Sequence, residues 1–309
     1  MSETDLSIQD RVCSSAERGP SPPPQTLIRL TNLEHTYLKG TPLQVPGLRG
    51  VSLSVDRGEA LGIIGRSGSG KSTTVQHFNG LLRPEKPGQV EILGQDMADR
   101  SVDVRLIRQK VGLVFQYPEA QLFERLVGDD VAFGPLKMGL TLEEARERVR
   151  WAMDSVGLPF SEFKDRFTFS LSGGEMRKAA IAGVLALKPE VLVLDESTSG
   201  LDPRGRRELL SLIRRWKEDD GLTIVFISSN MEDLAALVDR VCVLDGGRSV
   251  MEGTVRDVFS RPGELQAFGL NVPQITEILV GLKDRELDVD PRCTDVAEAE
   301  EQVWRILST

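Results

Sequence analysis

The chain has 309 residues, 40% of them hydrophobic and 28% charged, enough for one large domain or two modest ones with real cores. A net charge of −9, from 47 acidic against 38 basic residues, argues against nucleic-acid binding through a broad basic surface. Three dispersed cysteines (Cys13, Cys242, Cys293) and two histidines argue against a disulfide framework or a Cys/His zinc site and point to a reducing compartment.

Residues 1–26 run into Gly19-Pro20-Ser21-Pro22-Pro23-Pro24, offer little to bury and read as a disordered tail. The opening MSETDLSIQD lacks the basic-then-apolar layout of a signal peptide, and no apolar run reaches the roughly 18 residues of a spanning helix. LIRLTNLEHTYL (27–38) and VSLSV (51–55) alternate apolar and polar positions and predict antiparallel strands. ALGIIG (60–65) is continuously apolar, as a buried central strand is, and TTVQHFNGLL (73–82) follows as a helix in which His77 reads as structural. LEEARERVRWAMDSV (142–156) has apolar positions near period 3.6 and predicts a second helix. VLVLD (191–195) and TIVFI (223–227) are further buried strands, and VCVLDGGRSVMEG (241–253) is a hairpin turning at Gly246-Gly247. Buried strands alternating with helices indicate an α/β sheet with helices packed on it. Residues 264–309 hold ten acidic against four basic residues, yet Leu265, Phe268, Leu279 and Trp304 give them apolar faces, so they read as a small helical appendage.

Gly65-Arg66-Ser67-Gly68-Ser69-Gly70-Lys71-Ser72-Thr73 fits G-x-x-x-x-G-K-[ST] directly after a predicted buried strand. Glycines let backbone N–H groups turn toward phosphate oxygens, Lys71 brings a cation, and the Ser72 hydroxyl is a hard ligand for Mg²⁺. The N-terminal end of the following helix adds positive potential at the same place. Asp195, ending a buried strand, suits Mg²⁺ held through its water shell, and Glu196 beside it is the candidate general base.

Leu171-Ser172-Gly173-Gly174-Glu175 lies 20 to 24 residues before Asp195. With this motif in place the chain resembles the ATPase subunit of an ABC transporter over roughly residues 27–260. The resemblance implies a P-loop ABC-type nucleotide-binding domain of α/β class at 27–260. It would comprise an antiparallel β subdomain and a helical signature subdomain at about 116–175, with a C-terminal helical dimerisation region at 261–309. It also implies ATP and Mg²⁺ as ligands, with Tyr37 stacking on adenine, Gln116 as the Q-loop glutamine contacting Mg²⁺ and the catalytic water, and Ser199-Gly200-Leu201-Asp202 as the D-loop. Ser172, Gly173, Gly174 and Glu175 would grip the γ-phosphate held by the opposite subunit of a head-to-tail dimer.

GTPLQVPGLRGVSLSV (40–55), QHFNGLLRPEKPG (76–88), FQYPEAQLF (115–123), MRKAAIAGVLALKPEVLVLDE (176–196) and GLNVPQITEILVGL (269–282) resemble energy-coupling-factor importer ATPases. That group powers uptake of vitamins and of cobalt or nickel ions. The resemblance implies a peripheral subunit on the cytoplasmic face of the cell membrane. Its partners would be a second ATPase, a membrane coupling subunit and a substrate-binding membrane subunit, with no nucleic acid. Coupling helices would dock near 116–140.

The chain departs from the family pattern at three positions. Ser229 stands where a histidine is usual; its hydroxyl can still hydrogen-bond a γ-phosphate but supplies no imidazolium. Glu175 replaces the usual glutamine and puts a carboxylate where phosphate would sit, repulsive unless neutralised. Ser197 replaces the usual proline. Either hydrolysis runs on Glu196, Lys71 and Gln116 with Ser229 tolerated, or this chain's own site is weakened and a partner ATPase carries most turnover. The second is favoured, and with it a heterodimer over a homodimer, because a lost γ-phosphate contact costs orders of magnitude in rate. Three alternatives stay open: the ATPase of another ABC importer, a soluble ABC protein acting on a non-transport client such as DNA or ribosomes, and a regulatory subunit that binds nucleotide without hydrolysis.

Overall fold

Alternating apolar residues carry the first part of the chain into two long strands, β1 (Thr26–Tyr37) and β2 (Val45–Asp56), paired antiparallel with Leu30 opposite Leu53. The computed structural model describes residues 25–308, so the tail expected at 1–26 lies outside the described residues as far as residue 24. β3 (Ala60–Ile64) is buried at every position and leads through the glycine-rich turn into α1 (Lys71–Phe78). The helix stops at Phe78, short of the Leu82 expected, because Asn79 closes it and Gly80 takes φ 67. β4 (Val90–Ile92) and β5 (Gln95–Asp96) complete a four-stranded antiparallel sheet in the order β2-β1-β4-β5.

A helical group follows. After α2 (Val104–Lys110) and β6 (Val111–Val114) come α3 (Val127–Lys137), α4 (Leu142–Ser155), the short α5 (Phe160–Phe163) and α6 (Gly173–Leu185). Thr141 starts α4 through a capping box, its hydroxyl accepting from Glu144 N while the Glu144 carboxylate accepts from Thr141 N. Val131 of α3, Val149 and Ala152 of α4, and Ala179 and Ile181 of α6 share one apolar cluster, so the packed helical group runs on to Leu185.

The chain then winds β7 (Val191–Asp195), α7 (Pro203–Glu218), β8 (Thr223–Ile227), α8 (Met231–Leu237), β9 (Arg240–Asp245) and β10 (Arg248–Thr254). The second sheet has the order β10-β9-β3-β8-β7-β6, parallel except for the β9–β10 hairpin, which turns at Gly246-Gly247 as expected. Its central strands are continuously apolar because both faces are covered. Ala60, Ile64, Leu192, Leu194, Ile224 and Phe226 face the helical layer; Leu61, Ile63, Val191, Val193, Val225 and Ile227 face α1 and the antiparallel sheet. Each of these buried Val, Leu, Ile and Phe side chains contributes about 1.5–3 kcal/mol, which fixes the sheet that carries the site.

The C-terminal part comprises α9 (Val255–Phe259), α10 (Pro262–Ala267), α11 (Gln274–Lys283) and α12 (Val296–Leu307). α11 and α12 enclose a small core of their own around Leu279, Val289, Cys293 and Ala299.

Candidate functional site

A cleft of about 780 Å³ opens where β3, β7 and β8 end at their C-terminal edges, the place where parallel α/β sheets bind ligands. At its floor the turn from β3 wraps into α1. Gly70 has φ 102, and a Cβ there would lie 2.6 Å from Leu48 Cδ2, so the turn closes only with glycine. Gly70 also caps α1 without a side chain, leaving the first-turn N–H groups free for an anion. Lys71 arches back over the loop, its Nζ donating to Gly65 O at 2.7 Å and Arg66 O at 3.2 Å. Burial lowers the Lys71 pKa, opposed by the carboxylates of Glu196 and Asp195.

Those carboxylates come from the end of β7. Asp195 is buried, which raises its pKa against the hydrogen-bonded Ser72 hydroxyl and the Lys71 charge. Glu196 sits at φ 50, left-handed backbone that a non-glycine residue adopts under constraint; its N–H donates to Ile227 O at 3.0 Å on the neighbouring strand. Glu196 Oε2 accepts from both the N–H and the hydroxyl of Ser229, each at 3.2 Å. The Ser229 hydroxyl, offered by the sequence as a phosphate contact, is thus directed at the carboxylate.

Ser72, Gln116 and Asp195 line the same cleft and present hydroxyl, amide and carboxylate oxygens. Among the described residues no group of three or more His, Cys, Asp or Glu could hold a metal. Hard-oxygen donors too few to enclose an ion suit Mg²⁺, which keeps water and phosphate oxygens in its shell. At the opposite end Tyr37 presents its ring. The Tyr37 and Thr73 hydroxyls are 2.9 Å apart, His35 meets the ring edge-on at 4.6 Å, and Gly47 approaches so closely that a Cβ would lie 2.9 Å from Tyr37 Cε2. In one groove an aromatic face suits a nucleotide's base, and the cation and free helix N-terminus suit its phosphates.

Of the cradle residues, Gly65, Arg66, Ser67, Gly68, Gly70, Lys71, Ser72 and Thr73 line the cleft; Ser69 is buried beneath it. His77 is fully buried and takes no part in it.

Ser172, Gly174 and Glu175 lie elsewhere, in a second groove with Gly200, Leu201 and Asp202. Ser199 belongs to the first cleft, so the 199–202 turn bridges the two, and Arg177 Nη1 of α6 holds it by donating to Ser199 O at 2.7 Å. Glu175 folds back as a capping box, Oε2 accepting from the N–H and hydroxyl of Ser172, both at 2.7 Å, while Oε1 lies 3.3 Å from Arg166 Nη1. The bonds from Ser172 chiefly, with Arg166, lower the Glu175 pKa. The ionised carboxylate is therefore engaged within the chain, by Ser172 and by the Arg166 guanidinium.

The cleft also contains residues that motif reasoning passed over: Val45, Pro46 and Gly47 at the start of β2, Met231 of α8, and Gly269, Leu270 and Asn271 ahead of α11. The family likeness of 40–55 and 269–282 marked both stretches, but no spacing in the sequence places either at the nucleotide.

Residues 48–199 match the family model described as ABC transporter. A Symbiobacterium thermophilum protein described as energy-coupling factor transporter ATP-binding protein EcfA2 is 47% identical over 276 residues, covering 89% of this chain and 95% of that one. A Clostridium perfringens protein of the same description is 41% identical over 280 residues, covering 91% and 98%. Among solved structures, cbiO1 of Clostridium perfringens, part of the ABC transporter complex cbiONQ, superposes with a TM-score of 0.68 at 34% identity, over 79% of this chain and 94% of that one. The dimeric ATP-binding cassette MJ0796, bound to ADP and Pi after hydrolysis, gives a TM-score of 0.66 at 26% identity, over 74% and 98%. With likeness running the length of the cassette and on toward its C-terminus, this chain belongs to the ABC transporter family, as an ATPase of the energy-coupling factor group.

Proposed function

We propose that the chain works as half of a head-to-tail ATPase dimer on the cytoplasmic face of a cell membrane, driving an energy-coupling-factor importer of a vitamin or transition-metal ion. The observation that carries the dimer is the separation of the two anion-binding elements. The Gly65–Thr73 cradle and the Ser172–Glu175 helix start open into different grooves, so a second ATPase must supply the signature that covers this nucleotide. Among the described residues no helix is long and apolar enough to cross a membrane, so a membrane coupling subunit and a substrate-binding membrane subunit complete the proposed assembly.

In this reading Tyr37 stacks on adenine and the cradle from Gly65 to Thr73 binds the phosphates. Ser72, Gln116 and Asp195 hold Mg²⁺, which when bound offsets the charge of the terminal phosphates. Glu196 accepts a proton from the attacking water, and Gln116 positions that water. Ser229 holds Glu196 through two hydrogen bonds and leaves the γ-phosphate without an imidazolium, which favours a weakened site here and a heterodimer with a more active ATPase.

The test is Glu196→Gln in the full chain with its partner ATPase. With the partner's own general base changed likewise, this variant is expected to bind ATP and remain a closed dimer, read by light scattering after size exclusion. A variant that binds ATP but never dimerises refutes the sandwich.

A further inference from the structure

Between α10 and α11 the chain returns to the nucleotide cleft. Gly269, Leu270 and Asn271 line it beside Arg66 and Ser229, although they lie some two hundred residues beyond the cradle in sequence. The approach is close. Gly269 has φ 67, and a Cβ there would stand 3.0 Å from Arg66 Cδ and 3.2 Å from Nε, so the Arg66 side chain lies against the Gly269 backbone. Leu270 and Val272 are each 7% exposed and anchored in the main apolar cluster, while Asn271 between them is exposed. The Arg66 guanidinium has no ion-pair partner among the described residues. An unpaired guanidinium lining a phosphate cradle offers the charge and the forked donors that a terminal phosphate accepts.

We propose that Arg66 and the strap 269–271 together contact the terminal phosphate of ATP and so transmit nucleotide occupancy to the C-terminal helices. The inference rests on the nucleotide reading of the cleft and adds a contact from outside its motifs. Arg66 drawn onto a phosphate withdraws from Gly269, and Asn271 offers an amide donor on the same side. The strap ends at Pro273, which caps α11, and Gln274 N donates to Glu232 Oε1 at 3.4 Å, tying α11 to the start of α8 just past Ser229. At its other end the appendage is held to α9 by Arg256, whose Nη1 and Nη2 donate to Glu298 at 3.2 and 2.6 Å. The C-terminal helices therefore hang between the nucleotide cleft and the half-exposed Arg256–Glu298 ion pair. Coupling through such a link is reciprocal, so restraining α11 and α12 changes the affinity for ATP.

The experiment uses the full chain with two substitutions at the exposed position, Asn271→Ala and Asn271→Asp. Calorimetry measures affinity for the magnesium complexes of a non-hydrolysable ATP analogue and of ADP; hydrogen exchange follows residues 274–307. Loss of one phosphate contact predicts roughly three- to ten-fold weaker binding of the triphosphate for Asn271→Ala, a larger loss for Asn271→Asp, and an unchanged diphosphate. In the unaltered chain the triphosphate, and not ADP, should alter exchange in α11, and Asn271→Ala should abolish that response. Unchanged triphosphate affinity, equal weakening of both nucleotides, or exchange in α11 indifferent to the triphosphate each overturns the proposal. An unaltered chain that binds neither nucleotide overturns the nucleotide reading instead.

Discussion

Acid should weaken this fold in good part through the imidazole of His77. His77 is fully buried in α1, and neither ring nitrogen makes a well-formed hydrogen bond. Burial first, and the neighbouring His35 second, lower its pKa from 6.5 to about 4. As pH falls below 6.5 the unfolded chain takes up a proton that the folded chain refuses, so stability is lost between about pH 6.5 and 4 and no further below. At 1.36 kcal/mol per unit, the displacement amounts to about 3 kcal/mol, a large share of the roughly 5–15 kcal/mol that holds a domain together. Several carboxylates held low, such as Glu144 and Glu190, also lose stability in acid, so the histidine is isolated by difference. Urea unfolding of the unaltered chain and of His77→Leu, followed by fluorescence of the buried Trp216, is compared from pH 7 to 4. The stability of the unaltered chain relative to His77→Leu should fall by about 3 kcal/mol across that range. A difference that stays flat with pH refutes the reasoning.

Other consequences concern the site itself. Gly70→Ala combines a left-handed φ of 102 with a Cβ 2.6 Å from Leu48 Cδ2, so nucleotide binding should fall below detection in calorimetry while the circular dichroism stays folded. Ser229→His frees Glu196 from a hydroxyl and restores an imidazole near the phosphate; turnover at this chain's own site should rise at least roughly ten-fold in single-turnover assays, and an unchanged rate refutes the weakened-site reading. Asp233 is 2% exposed, paired with Arg206 Nε at 2.7 Å and the Thr198 hydroxyl at 2.9 Å. Removing it in Asp233→Ala strands part of that network and should destabilise by about 3 kcal/mol in urea melts.

What the sequence disclosed, and what it withheld, follows from the range of the interactions. The cradle was legible because a fixed spacing of glycines, Lys71 and Ser72 does its work within one turn. The strands 60–64, 191–195 and 223–227 were legible because burial on both faces leaves no polar residue among them except Asp195 and Thr223. The end of α1 was misread by one turn, although Asn79-Gly80 is itself a stop signal, because apolar Leu81 and Leu82 continued the pattern. The strap at 269–271 was out of reach: its return to Arg66 depends on how α9 and α10 pack, which no local pattern encodes.

Ser229 illustrates a contact whose parts were visible but whose meaning was not. Both five-residue apolar runs were evident, yet their adjacency and register were not. Asp195 pairs with Ile227 in the parallel β7–β8 ladder, and that register alone sets Glu196 beside the turn carrying Ser229. The left-handed backbone at Glu196 then swings the carboxylate onto the Ser229 N–H and hydroxyl. A serine at this position therefore sets the surroundings of the Glu196 carboxylate. It holds the carboxylate by two hydrogen bonds, one of them from a backbone N–H that any residue here would supply, and adds no positive charge beside it. The visible consequence of the serine is therefore at the carboxylate, where its hydroxyl is engaged by Glu196 Oε2 at 3.2 Å.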